Sequence, residues 1–227
     1  MPFAPLSFLR GPFPARTITK HQNPTLLHDT LGRSFHLEFY RHPDIGGKGA
    51  FFNKQAYPPH DSQLDSELTL YYPPAHYHLL SDEHFIVSAG AGTWYLWDKS
   101  VHLSKGDEIV IPARTWHRFE GDASLDQPLT IDVKYDKAYE AMEERFFRNT
   151  LSYIGDCSKA GVTPSVFQLM VFFVHNMMPP GIRTPGPEFL NLILNTAFMF
   201  VVGGVGEFLL GYQASYPEYY DESEKSM

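Results

Sequence analysis

HYHLLSDEHFIVSAG, residues 76–90, sets two histidines at i and i+2, a glutamate five positions beyond the second, and then an apolar run closed by glycine. Alternate side chains of an extended chain point to the same face, so His76 and His78 can project into one interior. Phe85 and Val87 share the parity of Glu83, which reads as a strand with one buried face. A second stretch, GDEIVIPARTWH (residues 106–117), ends on His117, whose parity Thr115 and Phe119 share. Imidazole and carboxylate suit borderline divalent ions such as iron, manganese, nickel and zinc. His76, His78, Glu83 and His117 are therefore a candidate ligand set, provided neighbouring strands bring Glu83 and His117 to the pair.

Outward from these stretches, residues 31–135 read as short strands cut by Gly, Pro and Asp turns, the pattern of an antiparallel sandwich or barrel. Phe35, Leu37 and Phe39 alternate with His36, Glu38 and Tyr40, the two-residue period of a half-buried strand over 34–40. Further strands are expected at 66–73, 84–89, 93–97, 100–103, 108–111, 116–120 and 129–135. Gly90–Ala91–Gly92 and Asp98–Lys99 are expected as turns. Residues 1–30 read as an irregular arm.

After Asp136 the period becomes helical. Tyr139, Met142, Phe146 and Tyr153 fall near steps of three, four and seven, and Thr163–Pro164 reads as the start of a second helix that PPGIRTPGPE then breaks. A third segment, 189–212, is apolar on nearly every side. As a helix it would span about 36 Å, enough for a bilayer core of about 30 Å. Asn191, Asn195, Glu207 and the Gly203–Gly204 pair weigh against crossing, because polar side chains are costly in hydrocarbon and adjacent glycines weaken a helix. Packing on the barrel or on a second subunit, and peripheral or integral membrane contact through 189–212, both stay open. Residues 136–212 form a helical appendage on this reading, and 213–227 an acidic, flexible tail.

The 227 residues carry a formal charge of −8, 43% hydrophobic and 15% aromatic residues, and one cysteine, Cys157. Such a chain can fill a core. It lacks the clustered basic surface of a nucleic-acid binder and cannot form an internal disulfide. A cytoplasmic setting is expected, with membrane association as the alternative.

The two quoted stretches resemble the paired motifs of the cupin superfamily: His-x-His, a short gap, Glu and six residues to Gly90, then Gly106, five residues to Pro112, and His117. The resemblance covers about residues 65–125. It implies a mainly β fold, a double-sheet jelly-roll barrel, here with a C-terminal α-helical appendage. It also implies that His76, His78, Glu83 and His117 hold one divalent metal, iron first, with manganese, nickel or zinc as alternatives, and that a homodimer forms. Three positions depart from the pattern: Leu70 and Arg114 stand where glycine is usual, and Gly121 where asparagine is. The glycine that Arg114 replaces often relaxes a tight turn. Arg114 is either a solvated turn residue or a cation that pairs with an anionic substrate.

The barrel, the apolar helical tail and the stretches Leu210-Gly211-Tyr212 and Tyr216-Pro217-Glu218-Tyr219 look like the cupin-domain oxidoreductases of fungal secondary-metabolite pathways, some linked to salicylaldehyde-type polyketides. Phe85, Val87, Arg114 and Phe119 are candidate substrate contacts, and the partner expected is a small aromatic or polyketide-derived molecule. Trp94, Trp97, Trp116, Tyr71 and Tyr72 are near in sequence, with ordinary packing as the competing role. No general base is identifiable; Tyr72, Glu108 and Arg114 are conceivable. His36, His60, His84, His102 and His175 read as structural or surface residues. A Lewis-acid isomerase or dehydratase, and a non-catalytic barrel holding an apolar ligand, are the alternatives to an oxidoreductase. The acidic charge and apolar helices weaken a transcription-factor reading.

Overall fold

The computed structural model describes residues 4–11, 13–29, 31–42, 50–59 and 71–222. Among them, nine strands form two antiparallel sheets. They are β1 (Thr25–His28), β2 (Ser34–His42), β3 (Ala50–Tyr57), β4 (Glu83–Ala89), β5 (Ala91–Leu96), β6 (Lys99–Ser104), β7 (Glu108–Ile111), β8 (His117–Gly121) and β9 (Leu129–Lys134). The large sheet runs β1-β2-β3-β9-β4-β7 and the small one β6-β5-β8. Their inner faces meet in one aromatic core. Phe35, Leu37 and Phe39 from β2, Phe85 and Val87 from β4, Ile131 and Val133 from β9 pack there with Trp94 and Phe119 of the small sheet. This is the mainly β, double-sheet architecture expected from the strand pattern.

Two strands were not anticipated. The stretch read as an irregular arm contributes β1 at the sheet edge, paired with β2. β3 lies between β2 and β9. Its inward positions alternate Phe51, Asn53, Gln55 and Tyr57, all buried, so polar side chains on the core face hide the period. Of the expected strand 66–73, residues 66–70 lie outside the described residues and 71–73 are not a strand. Ala91 and Gly92 belong to β5, leaving Gly90, with φ of 71°, as the corner between β4 and β5.

Among the described residues three α-helices follow: α1 (Glu140–Lys159), α2 (Val166–His175) and α3 (Glu188–Gly204), the last running into a π-helical turn, Val205–Leu209. Helix α2 starts after Ser165, two positions past the expected cap. The helices share a second core in which Phe146, Tyr153 and Cys157 of α1 meet Met170, Phe172 and Phe173 of α2 and Met199 of α3. Tyr216 and Tyr219 join it, buried at 4% and 0% exposure. The tail is therefore docked through the described residues, contrary to a flexible reading. Tyr216 N–H donates to Asn149 Oδ1 at 2.8 Å, and the Tyr219 hydroxyl donates to Asp156 Oδ2 at 2.7 Å. The arm also holds to α1, with Thr17 N–H donating to Asp156 Oδ2 at 2.7 Å.

Glu188–Leu209 is long and apolar enough to cross a membrane by length and composition, with 28% of its most apolar window buried. Asn191, Asn195, Met199 and Gly203 form its buried stripe. The two asparagine amides replace a missing strand partner: Asn191 Oδ1 accepts from Thr184 N–H at 2.6 Å, and Asn195 exchanges bonds with both backbone groups of Ile182 at 3.2 and 2.9 Å. Gly203 belongs to this stripe because a Cβ there would sit 2.6 Å from Val174 Cγ2 and 2.9 Å from the Met170 carbonyl. The glycine lets two helix backbones approach instead of weakening the end of one.

Candidate metal centre

The ligand segment is held from both sides by backbone pairing. His76 N–H donates to His117 C=O at 3.0 Å and His117 N–H donates to His76 C=O at 3.1 Å, so the two residues form an antiparallel bridge. On the opposite side Tyr77 N–H donates to Pro179 C=O, Leu79 N–H to Met177 C=O, and Gly181 N–H to Ala75 C=O. The α2–α3 connection thus backs the segment that carries both histidines. A third clamp comes from the turn before β8: Arg114 N–H donates to His78 C=O at 2.7 Å and Ala113 N–H to Asp82 Oδ1 at 2.9 Å. Arg114 adopts φ of 68°, so the turn keeps the left-handed backbone of the usual glycine while carrying a side chain.

These clamps bring His76, His78, Glu83 and His117 together. One potential ligand atom from each lies within 4.8 Å of the others, and all four residues are buried. His117 Nε2 is 3.0 Å and His78 Nε2 3.4 Å from Glu83 Oε2. His76 Nδ1 lies 2.8 Å from Pro74 C=O and His117 Nδ1 3.0 Å from Thr115 C=O. A carbonyl only accepts, so both rings carry their proton on Nδ1 and present the Nε2 lone pair inward. His78 Nε2 is buried without a hydrogen-bond partner, as expected of an atom that serves an ion.

Electrostatics agree with that donor set. Burial first, then His117 and His78, push the His76 imidazolium well below the ordinary histidine range; burial, with His117 adding and Glu83 opposing, lowers His78. Burial opposes ionisation of Glu83, but His78 and His117 outweigh it and hold the carboxyl at about 2. Imidazoles that burial drives toward the neutral form, beside a carboxylate that needs a neighbouring positive charge to stay ionised, fit a site where a divalent cation would supply that charge.

Next to the ligands lies a cavity of about 100 Å³, well above the roughly 15 Å³ that one water needs. His76 and Glu83 form part of its wall, with Gln55, Tyr57, Tyr71, Phe85 and Phe119 of the barrel side. The appendage supplies the rest, including Phe146, Phe147, Thr150 and Leu151 of α1 and Leu169 and Phe173 of α2. The helices are therefore part of the site's enclosure. Thr150 Oγ1 is buried here without a partner.

Of the anticipated substrate contacts, Phe85 and Phe119 stand in this wall. Val87, two residues further along β4, is 1% exposed within the barrel core and outside the wall. Arg114 is exposed at its turn and also outside the wall, which favours the solvated-turn role. Tyr71 lines the cavity, Trp94 fills the core, and Trp116 donates Nε1–H to Gly181 C=O at 2.7 Å. Tyr72 stacks on Tyr57 at 4.3 Å and its hydroxyl accepts from Gly121 N–H. Glu108 is exposed and pairs with His84 at 3.0 Å. None of the conceivable bases, Tyr72, Glu108 or Arg114, lines the cavity. His102 faces Asp122 and His175 pairs with Glu207, as structural histidines do; Leu70 and His60 lie outside the described residues.

Sequence reasoning missed Glu143 of α1. It is 0% exposed, its Oε1 lies 3.9 Å from His78 Nδ1, and its Oε2 accepts from Asn176 Nδ2 at 3.1 Å. Burial, with the Glu83 charge adding and Asn176 opposing, raises its carboxyl to about 8. Its spacing from the apolar residues of α1 gave no sign that it faces the barrel.

The cupin domain family matches residues 71–127. A protein named "Probable oxidoreductase virH" from Hypocrea virens is 34% identical over 154 residues, 66% of this chain and 68% of that protein. The chain belongs to the cupin family. Its likeness to that fungal protein extends well past the matched barrel motifs. "Oxidoreductase iacF" of Pestalotiopsis fici is 34% identical over 105 residues, 44% of this cupin chain and 52% of that protein's length. Among solved structures, a cupin-like protein of Thermotoga maritima aligns at 16% identity with a TM-score of 0.34, covering 55% of this cupin and 80% of that chain.

Proposed function

We propose that the chain is a metal-dependent oxidoreductase acting on a small aromatic or polyketide-derived molecule in secondary metabolism. The observation that carries the reading is the composition of the cavity wall: His76 and Glu83 on one part of it, and aromatic and aliphatic side chains on most of the rest. The names of the two fungal relatives support the reaction class.

His76, His78, Glu83 and His117 would hold the ion, with iron favoured over manganese, nickel or zinc. When bound, it supplies Lewis acidity and, as iron, a route for electron transfer with dioxygen. The protein's own part is orientation and exclusion of water. Phe85, Phe119, Phe146 and Phe173 favour a flat apolar substrate over a sugar, because polar hydroxyls would lose hydration without new partners. Thr150 Oγ1 offers one hydrogen bond to a substrate oxygen away from the ligands. Gln55 accepts from the Tyr57 hydroxyl, which orders the polar part of the barrel-side wall.

The test is elemental analysis of full-length protein purified without chelators, followed by oxygen uptake with catechol-like and β-diketone compounds. Metal near one equivalent and oxygen consumption lost in His76→Ala are expected. Turnover without oxygen uptake would favour a Lewis-acid isomerase or dehydratase. A wild-type protein without first-row metal would end the reading.

A further inference from the structure

The three imidazoles are not supported alike. His76 and His117 each have a backbone carbonyl two residues earlier in the chain that takes the Nδ1 proton, at 2.8 and 3.0 Å. The polar group facing His78 Nδ1 comes from the appendage: Glu143 Oε1 at 3.9 Å. That oxygen is buried and without a hydrogen-bond partner, as is Oδ1 of the neighbouring Asn176. Buried unpartnered oxygens are costly to keep, and here one is aimed at the ring that lacks a carbonyl. A relative movement of about 0.8 Å brings the pair to hydrogen-bond distance.

Resting on the metal-centre reading above, we propose that Glu143 is the positioning residue of His78. Its Oε1 accepts the Nδ1 proton, which fixes the ring's tautomer and orientation and leaves Nε2 for the ion. Asn176 holds the other carboxyl oxygen. Helices α1 and α2 thereby complete a site whose four ligands all come from the barrel. Outer partners of this kind hold a ligating histidine in its binding tautomer and are typically worth about 10–100-fold in metal affinity.

The experiment titrates the full chain, freed of metal, with Mn(II) alone by calorimetry, and records the Co(II) absorption spectrum of each protein. Glu143→Met keeps the side-chain length and removes both acceptors. Glu143→Gln keeps one acceptor for His78, and its amide N–H can donate to Asn176 Oδ1 once the Asn176 amide, whose Nδ2 faces Oε2 in the wild type, turns over. Expected are a dissociation constant about 10–100-fold weaker and an altered Co(II) spectrum for Glu143→Met, with Glu143→Gln within about three-fold of wild type. Thermal melts of the metal-free proteins separate a general loss of packing, which Glu143→Gln would not rescue at the metal. Equal Mn(II) affinity and identical spectra in wild type and Glu143→Met overturn the proposal. So does a Glu143→Gln protein as weak as Glu143→Met. A wild type that binds neither ion sinks the metal-centre reading itself.

Discussion

His76 and His117, forty-one positions apart in the chain, exchange both of their backbone hydrogen bonds, and their ring centroids stand 4.3 Å apart. Directly paired residues of an antiparallel bridge place their side chains on the same face. The metal-facing geometry is therefore set by main chain before any ion is considered. In His117→Ala the bridge survives, because alanine offers the same N–H and C=O, but the fully buried imidazole that would share an ion with Glu83 is gone. Elemental analysis should show bound metal lost. Urea unfolding of the metal-free protein should show a stability loss of about 3 kcal/mol, the cost of truncating a buried ring and leaving a cavity. Metal retained at the wild-type level would show that His117 is not a ligand.

Gly121 stands where the related motif usually has asparagine, and the reason lies in Tyr72. A Cβ at residue 121 would be 2.6 Å from the Tyr72 hydroxyl oxygen. That ring cannot swing aside, because it is 6% exposed and stacked on Tyr57. Gly121→Ala should cost about 1–3 kcal/mol as an overpacked core does. Tyr72→Phe removes the clashing oxygen, so the double variant should melt above Gly121→Ala. Independent, additive losses would refute the pairing.

Much of this was open to sequence reading because period-two patterns report burial when one face is apolar and the other polar. β2 and β4 alternate in burial in this way, and the metal ligands sit at fixed spacings along extended chain. β3 escaped because Asn53 and Gln55 point inward while Phe52 lies on the other face, stacked on Tyr40. The docking of α1 on the barrel is a tertiary event with no local signal, so Glu143 read as one more helix carboxylate. Asn191, Asn195 and Gly203 counted as interruptions of an apolar run. In the fold they are its inner stripe, where amides bind the backbone of 182–184 and a missing Cβ lets α2 come close.

Thr150 Oγ1 is a buried hydroxyl in a mostly apolar cavity wall, without a partner. Valine has nearly the same shape and no unsatisfied oxygen. Thr150→Val should therefore stabilise the protein by about 1 kcal/mol, equivalent to roughly 2–4 °C in Tm, and leave metal content unchanged. If the hydroxyl serves a substrate oxygen, KM for the cognate aromatic compound should rise in the same variant. A lower Tm would show that Thr150 is already satisfied within the protein.

The ion pair between Arg16 and Glu218, 2.9 Å apart, ties the N-terminal arm to the C-terminal tail. The Arg16 guanidinium beside it holds the Glu218 carboxyl below the ordinary glutamate range, with burial opposing. A depressed folded-state value means the unfolded chain binds the proton more readily, so this contribution is present above the unfolded glutamate range and lost as pH falls through the folded value. Both side chains are 30% exposed, which limits the pair to well under about 1 kcal/mol. Glu218→Gln should melt slightly below wild type at pH 7. The two curves should converge as the pH is lowered through the acid range where Glu218 becomes protonated. Proteolysis at the arm should rise by no more than a few-fold in wild type over that same range, and Glu218→Gln should already show that small rise at neutral pH. A gap between the two melting curves that widens toward acid would mean that the carboxylate makes no contribution to holding the arm.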